Sequence, residues 1–276
     1  MGSCKYCGAG AGLLRKFHAE CQQKYDAGWK LMTSAAAEAA RSGDGLEALE
    51  TSVMKIAESS YIPMSRTKEA LAQGWEGALN SFLEDNVLSE EEEKRLMAFA
   101  EKFALSQEQL NTNSAYTRAA MAGVLRDVLH GKVPSRVKVD GELPFNLQKP
   151  ESLVWFFKDV PYYEEKTRRS FVGSSEGISV RVMKGVYYRM GGFKGHPVET
   201  SQMEHADTGA LGVTTKHLYF AGARKSFRIP YTKIVTFTPY SDGVGVCRDA
   251  ATARPQVFVS GEGWFIYNLV KNLAQQ

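Results

Sequence analysis

Cysteine is scarce in this chain, four in 276 residues, and the scarcity argues against a disulfide-stapled secreted scaffold. Three of the four stand near the start, and Cys247 lies alone in a run that reads as a strand. Long hydrophobic runs are also missing. No stretch approaches the roughly 20 apolar residues of a bilayer-spanning helix, and the opening Met-Gly-Ser-Cys has neither the basic start nor the apolar centre of a secretory signal. A cytoplasmic protein in a reducing compartment is expected. No Ser/His/Asp order, phosphate-cradling glycine loop or metalloprotease helix motif stands in a supporting context. Glu84, Asp85 and the run Glu90 to Glu93 lack the alternating oxygen ligands and central glycine of an EF-hand loop. Acidic residues opening a helix complement its dipole, which accounts for them without calcium. No enzyme is expected.

What is present begins with Cys4, Cys7, His18 and Cys21, a Cys-x-x-Cys and His-x-x-Cys set whose spacing suits one tetrahedral zinc ion. Gly8 follows the first pair in a knuckle that turns backbone amides toward sulfur. His18 and Cys21 lie three apart at the start of a helix-forming run, so both project from one face of its first turn. Four protein ligands fill the shell and leave no position for a catalytic water, so a structural zinc is expected. A redox pair at Cys4 and Cys7 is the competing reading, but the α/β setting of that motif is absent. The arrangement resembles a treble-clef zinc finger over about the first 25 residues.

A chain of 276 residues has room for two domains, and charge divides it unevenly. Residues 1–132 hold 15 Lys+Arg against 18 Asp+Glu, a balance of −3, whereas residues 133–276 hold 19 against 13, a balance of +6. The second half is therefore the better surface for an anionic partner.

Helical periodicity fills the first half. His18 to Arg41 reads as one helix; Leu46, Leu49, Val53 and Ile56 mark a second, closed by Pro63; Thr67 is expected to cap a third that carries Leu71, Trp75, Leu79 and Phe82. Ser89 with Glu92, and Ser106 with Gln109, are capping-box signatures. A last helix runs from Ala115 to His130, stopped by Gly131 and Pro134. After Pro134 come short β-branched and aromatic segments at 177–183, 186–189, 211–215, 217–220, 226–230, 234–237, 244–247 and 256–259, separated by turn residues. They predict an antiparallel meander. Trp264 to Leu273 returns to helical spacing, with Phe265 and Leu269 facing inward.

The run Gly209 to Phe220 followed by Phe227 to Ile234 resembles the strand pattern of bacterial pleckstrin-homology-like or GRAM-type barrels, in which a terminal helix plugs the barrel. The region from Asn80 to Gly131 loosely resembles tellurite-resistance-type helical domains, whose acidic metal ligands do not map onto this chain. The expectation is an α+β chain: zinc finger 1–25, helical domain 26–132, and barrel 133–276. The pleckstrin-homology resemblance also singles out Lys166, Arg168 and Arg169, the densest basic cluster of the barrel half, because a basic loop between early strands of such barrels can hold phosphoinositide head groups. Many such barrels instead bind peptides, and a charged edge strand protected from pairing would show the same residues.

The preferred expectation is a non-enzymatic zinc-binding adaptor or regulator, bacterial or phage-associated, that docks a protein partner through residues 166, 168 and 169. One alternative is a nucleic-acid-binding regulator using the finger and the basic barrel face. Another is a metal-dependent hydrolase built on His196, Glu199, Glu204, His205 and Asp207, expected to share a polar loop between strands.

Overall fold

The computed structural model describes residues 2–12, 15–85, 87–134, 136–137, 141–175, 178–183, 186–190, 193–250 and 253–276; for residue 85, and for those of them within 168–200, the backbone alone is described. The chain divides into two compact units, Met1–Lys132 and Val133–Gln276.

The first unit opens with a small hairpin, β1 (Gly2–Ser3) and β2 (Gly10–Gly12), followed by helix α1 (Ala19–Ser42). Helices α2 (Leu46–Ser59), α3 (Met64–Phe82), α4 (Glu90–Lys102), α5 (Gln107–Leu110) and α6 (Ala115–Leu129) complete it. Both capping boxes form: the Ser89 and Ser106 side chains accept the Glu92 and Gln109 amides, and the side chains of Glu92 and Gln109 accept the capping residues' own amides. The third helix starts earlier than expected. Pro63, held at φ −62, is its N-cap, and Thr67 lies inside the first turn with its hydroxyl donating to the Met64 carbonyl at 2.8 Å. Proline's fixed φ sets the helix entry, so a later polar cap is unnecessary.

Small residues let α1 and α3 approach closely. A Cβ at Gly74 would stand 2.4 Å from the Ala36 methyl and 2.9 Å from the Thr33 carbonyl oxygen, so glycine is required for the crossing. Trp75 beside it is fully buried, and its Nε1 donates to the Leu96 carbonyl at 2.8 Å, joining α3 to α4. Met32, Leu79, Leu88 and Phe99 surround it in one apolar core.

The second unit is a curled antiparallel sheet, a half-barrel, closed over by one helix. Its strands are β3 (Leu153–Ser175), β6 (Phe193–Thr214), β7 (His217–Gly222), β8 (Ser226–Pro230), β9 (Ile234–Pro239), β10 (Val244–Arg248) and β11 (Gln256–Phe258), with β4 (Ile178–Met183) and β5 (Val186–Met190) paired separately. The sheet order is β8-β7-β6-β3-β11-β10-β9. Two meanders are thus joined through β3. The margins β8 and β9 are not hydrogen-bonded to each other in this order, which makes the sheet a half-barrel. Helix α7 (Gly263–Leu273) buries Phe265, Ile266 and Leu269, the inward face expected from its spacing.

Two expectations about the strands are corrected. Strands β3 and β6, at 23 and 22 residues, are far longer than the short segments foreseen, and they pair from Leu153↔Thr214 to Ser175↔Phe193. Residues 196–207 are therefore strand and not a connecting loop. Their polar composition hides the state because pairing with β3, not local patterning, fixes it. No helix among the described residues is long and apolar enough to cross a membrane.

Candidate metal centre

Chain direction and one left-handed glycine bring the four N-terminal ligands together. The Cys4 amide donates to the Ala9 carbonyl at 2.7 Å and the Gly8 amide to the Cys4 carbonyl at 2.9 Å, closing a tight turn around Cys7. Gly8 has φ 76, a conformation that costs glycine little. His18 is the extended N-cap of α1, and Cys21 lies in the first turn.

Cys4 and Cys21 are buried, Cys7 is exposed, and one ligand atom from each of the four residues lies within 4.8 Å of every other. His18 Nδ1 stands 3.4 Å from Cys7 Sγ and 3.7 Å from Cys21 Sγ. Its Nε2 lies 3.0 Å from the Gly10 carbonyl. A carbonyl only accepts, so Nε2 carries the proton and the Nδ1 lone pair faces the sulfurs. That is how a ligating histidine is oriented when its second nitrogen is anchored by a backbone carbonyl.

The sulfurs differ in environment. Burial pushes the Cys4 thiol up, but amides of Cys7, Tyr6 and His18 outweigh it and bring the group down to about 6. Burial carries the Cys21 thiol the other way, to about 11, with the neighbouring sulfurs of Cys7 and Cys4 adding to the rise. The hydrogen bond to the Gly10 carbonyl raises the His18 imidazole above its ordinary value, and Cys7 assists. This donor set is close enough to hold one metal ion. Among the described residues no other group of three or more His, Cys, Asp or Glu converges in this way.

Among the described side chains of the cluster foreseen at 196–207, Glu204, His205 and Asp207 do not converge on a shared ion position. Asp207 is buried, and its carboxylate accepts the amides of Arg224, Lys225 and Thr208 at 2.7, 2.8 and 2.9 Å. Those bonds, led by the Arg224 amide, hold the carboxyl below its usual range and occupy it in shaping the β7–β8 turn. His205 is exposed, packed edge-on against Tyr163 with its Nε2 2.9 Å from the Thr208 hydroxyl. Across a register shift, Asp207 and His205 stand opposite the adjacent β3 residues Tyr162 and Tyr163. The side chains of His196 and Glu199 lie outside the described residues.

The basic triplet falls within β3 and not on a loop. Lys166 is exposed and pairs with Glu204 at 3.1 Å across the ladder, and Arg168 and Arg169 stand opposite Thr200 and Glu199 in register. The side chains of Arg168 and Arg169 lie outside the described residues.

One polar cluster gave no sequence signal. Glu151 is buried, with Oε2 accepting from Thr214 Oγ1 at 2.7 Å and His217 Nδ1 at 2.8 Å, and Oε1 accepting from the Gln148 amide at 2.5 Å and from the Tyr219 hydroxyl. Burial pushes this carboxyl up, but the bonds from Tyr219, Thr214 and His217 outweigh it and hold it below its ordinary value. A glutamate fully occupied by donors is a tie between the chain entering β3 and the β6–β7 turn.

No protein-family model matches the chain, and neither a curated protein nor a solved structure does.

Proposed function

We propose that this chain is a non-enzymatic adaptor or regulatory protein whose N-terminus is stapled by one structural zinc ion and whose half-barrel docks a protein partner. The convergence of Cys4, Cys7, His18 and Cys21 carries the zinc assignment. With bonds of about 2.3 Å to sulfur and 2.0–2.1 Å to nitrogen, a tetrahedral ion separates sulfur from nitrogen by about 3.6 Å. The Nδ1–Sγ distances of 3.4 and 3.7 Å bracket that value. Three thiolates and one imidazole complete the shell, so the ion would act on folding and not as a Lewis acid.

Elemental analysis of gently purified protein tests this reading. One zinc per chain is expected, and cobalt substitution should give the visible absorption of a tetrahedral thiolate site. Protein that carries neither zinc nor bound cobalt overturns it.

The docking role rests on the pleckstrin-homology-like strand pattern at 209–234 and on the positive balance of residues 133–276. Lys166, Arg168 and Arg169 remain its first proposed contact. Reversal of all three to Glu is expected to weaken partner capture without changing the fold; capture equal to the parent's removes the triplet from the interface.

The nucleic-acid alternative has one observation in its favour. Tyr6, Tyr25 and Trp29 form a run of rings 5.0 and 6.0 Å apart, with Lys5 over Tyr6 and Arg66 over Trp29. Aromatic rings beside cations are the elements on which single-stranded bases stack. Steeply salt-dependent binding of a fluorescent oligonucleotide would favour that reading, and its absence at low salt dismisses it.

A further inference from the structure

Strand β9 is one margin of the half-barrel, and no described strand pairs with its outer side. Its run Ile234-Val-Thr-Phe-Thr-Pro239 contains no charged residue. Edge strands are ordinarily blunted by charge, bulges or proline, because a row of unpaired main-chain groups templates further pairing. The opposite margin, β8, follows that rule with Arg228 and Pro230. β9 has only Pro239 at its end and a register shift at its start, and Val235 on it is 68% exposed. The Tyr240 amide donates to the Gly243 carbonyl at 2.9 Å. Antiparallel alternation from that bond turns the main chain of Thr238 and Thr236 toward β10 and that of Phe237 outward.

A groove of about 260 Å³ runs beside this margin, between β9 and α7. Ile234, Phe237, Tyr267 and Val270 give it an apolar lining, with Phe237 and Tyr267 stacked at 5.6 Å and 8°. Lys271 is its one charged lining residue, and Lys233 stands immediately before the strand. The volume falls below the roughly 300–1,000 Å³ of small-molecule sites, so it suits side chains and not a whole ligand.

We infer that β9 is a strand-addition site that takes an extended acidic segment of a partner protein. The segment pairs with the outer main chain of β9, seats an apolar side chain in the groove, and sets a carboxylate against Lys271. The inference rests on the reading of the half-barrel as a protein-docking module and gives that module's partner its chemistry. An extended chain is what complements an unpaired main-chain row. A second copy of the chain is the poorer occupant, because neither β9 nor α7 contains an acidic residue to meet Lys271 in a two-fold pairing.

The test selects random twelve-residue peptides displayed on phage against the full chain, then titrates the enriched peptides, resynthesised with a fluorophore, by anisotropy. Peptides with alternating apolar or β-branched positions and an acidic residue are expected. Val235→Lys and Lys271→Glu, both at exposed positions, should each weaken their binding about tenfold while circular dichroism and melting stay unchanged. The triple reversal at 166, 168 and 169 should leave this binding intact. Peptides that ignore Val235→Lys and Lys271→Glu but are lost with the triple variant overturn the groove while leaving the docking role standing. The absence of any enriched peptide overturns the strand-addition site, and the docking role is then decided by partner capture with the triple variant. A dimer in sedimentation velocity that Val235→Lys dissolves assigns the edge to a second copy and also overturns the proposal.

Discussion

Glu151 Oε2 accepts a hydrogen bond from His217 Nδ1 at 2.8 Å across 66 residues of chain. The pair anchors the segment before β3 to the turn between β6 and β7, and Glu151→Ala would leave the buried Tyr219 hydroxyl and His217 ring short of an acceptor. A loss of about 3 kcal/mol in half-barrel stability is expected from such orphaned donors, read by denaturant unfolding. The folded carboxyl lies below its ordinary value of 4.5. Its stabilising contribution is therefore present above about pH 4.5 and is lost as pH falls through the lower folded value. Glu151→Ala should flatten the acid limb of the stability profile; an unchanged limb would reject the tie.

Cys7→Ser replaces the one exposed cysteine of the N-terminal set. Because the free energy of metal binding is partly folding free energy, amide exchange across residues 2–30 should accelerate and melting of the helical unit should fall. Equal exchange in parent and variant would mean that the site carries no folding free energy.

Gly74 and Gly77 lie on the same helix, and substitution by alanine should act with opposite sign. At Gly74 a Cβ meets Ala36 at 2.4 Å, so Gly74→Ala should cost about 1–3 kcal/mol through overpacking. At Gly77 the nearest atom is the Ala37 methyl at 3.5 Å, an ordinary contact. Gly77→Ala should gain up to about 1 kcal/mol from helix propensity. Paired melts that shift in the same direction would falsify the account of the α1–α3 crossing.

Leu269 is fully buried under the half-barrel sheet. Leu269→Ala should cost about 2–5 kcal/mol, and a chain ending at Gly263 should expose the strands that α7 covers and aggregate. A soluble, cooperatively folded truncation would remove α7 from the core.

Much of the helical unit was legible because its signals are local. Ser89 and Glu92 cap within three residues, and Leu71, Trp75 and Leu79 recur within one helix face. The metal ligands were legible for the same reason, since 18 residues span all four and each pair is set by a turn or a helix start. Glu151 gave no signal, as its side-chain partners Thr214, His217 and Tyr219 lie 63 to 68 residues away. Glu164-Glu165-Lys166-Thr167-Arg168-Arg169 shows no apolar alternation, yet it is the middle of β3. Its extended state depends on a ladder with 199–204 that local reading does not reach. Asp207 was noticed for its carboxylate, but its use is decided by the amides of Arg224 and Lys225 on the next hairpin.

Strand β3 pairs with β6 on one side and with β11 on the other, so its Tyr162 has partners at both Asp207 and Phe258. During synthesis this imposes an order of events. The helical unit is complete once residue 132 has emerged, whereas the β9–β10–β11 meander has no neighbour to join until residue 258 is available. The β6–β7–β8 meander can pair with β3 once residue 230 is available, whereas residues 234–258 must wait for β11, and an exit-tunnel stall before β11 would present cells with a folded helical unit and an unfinished sheet.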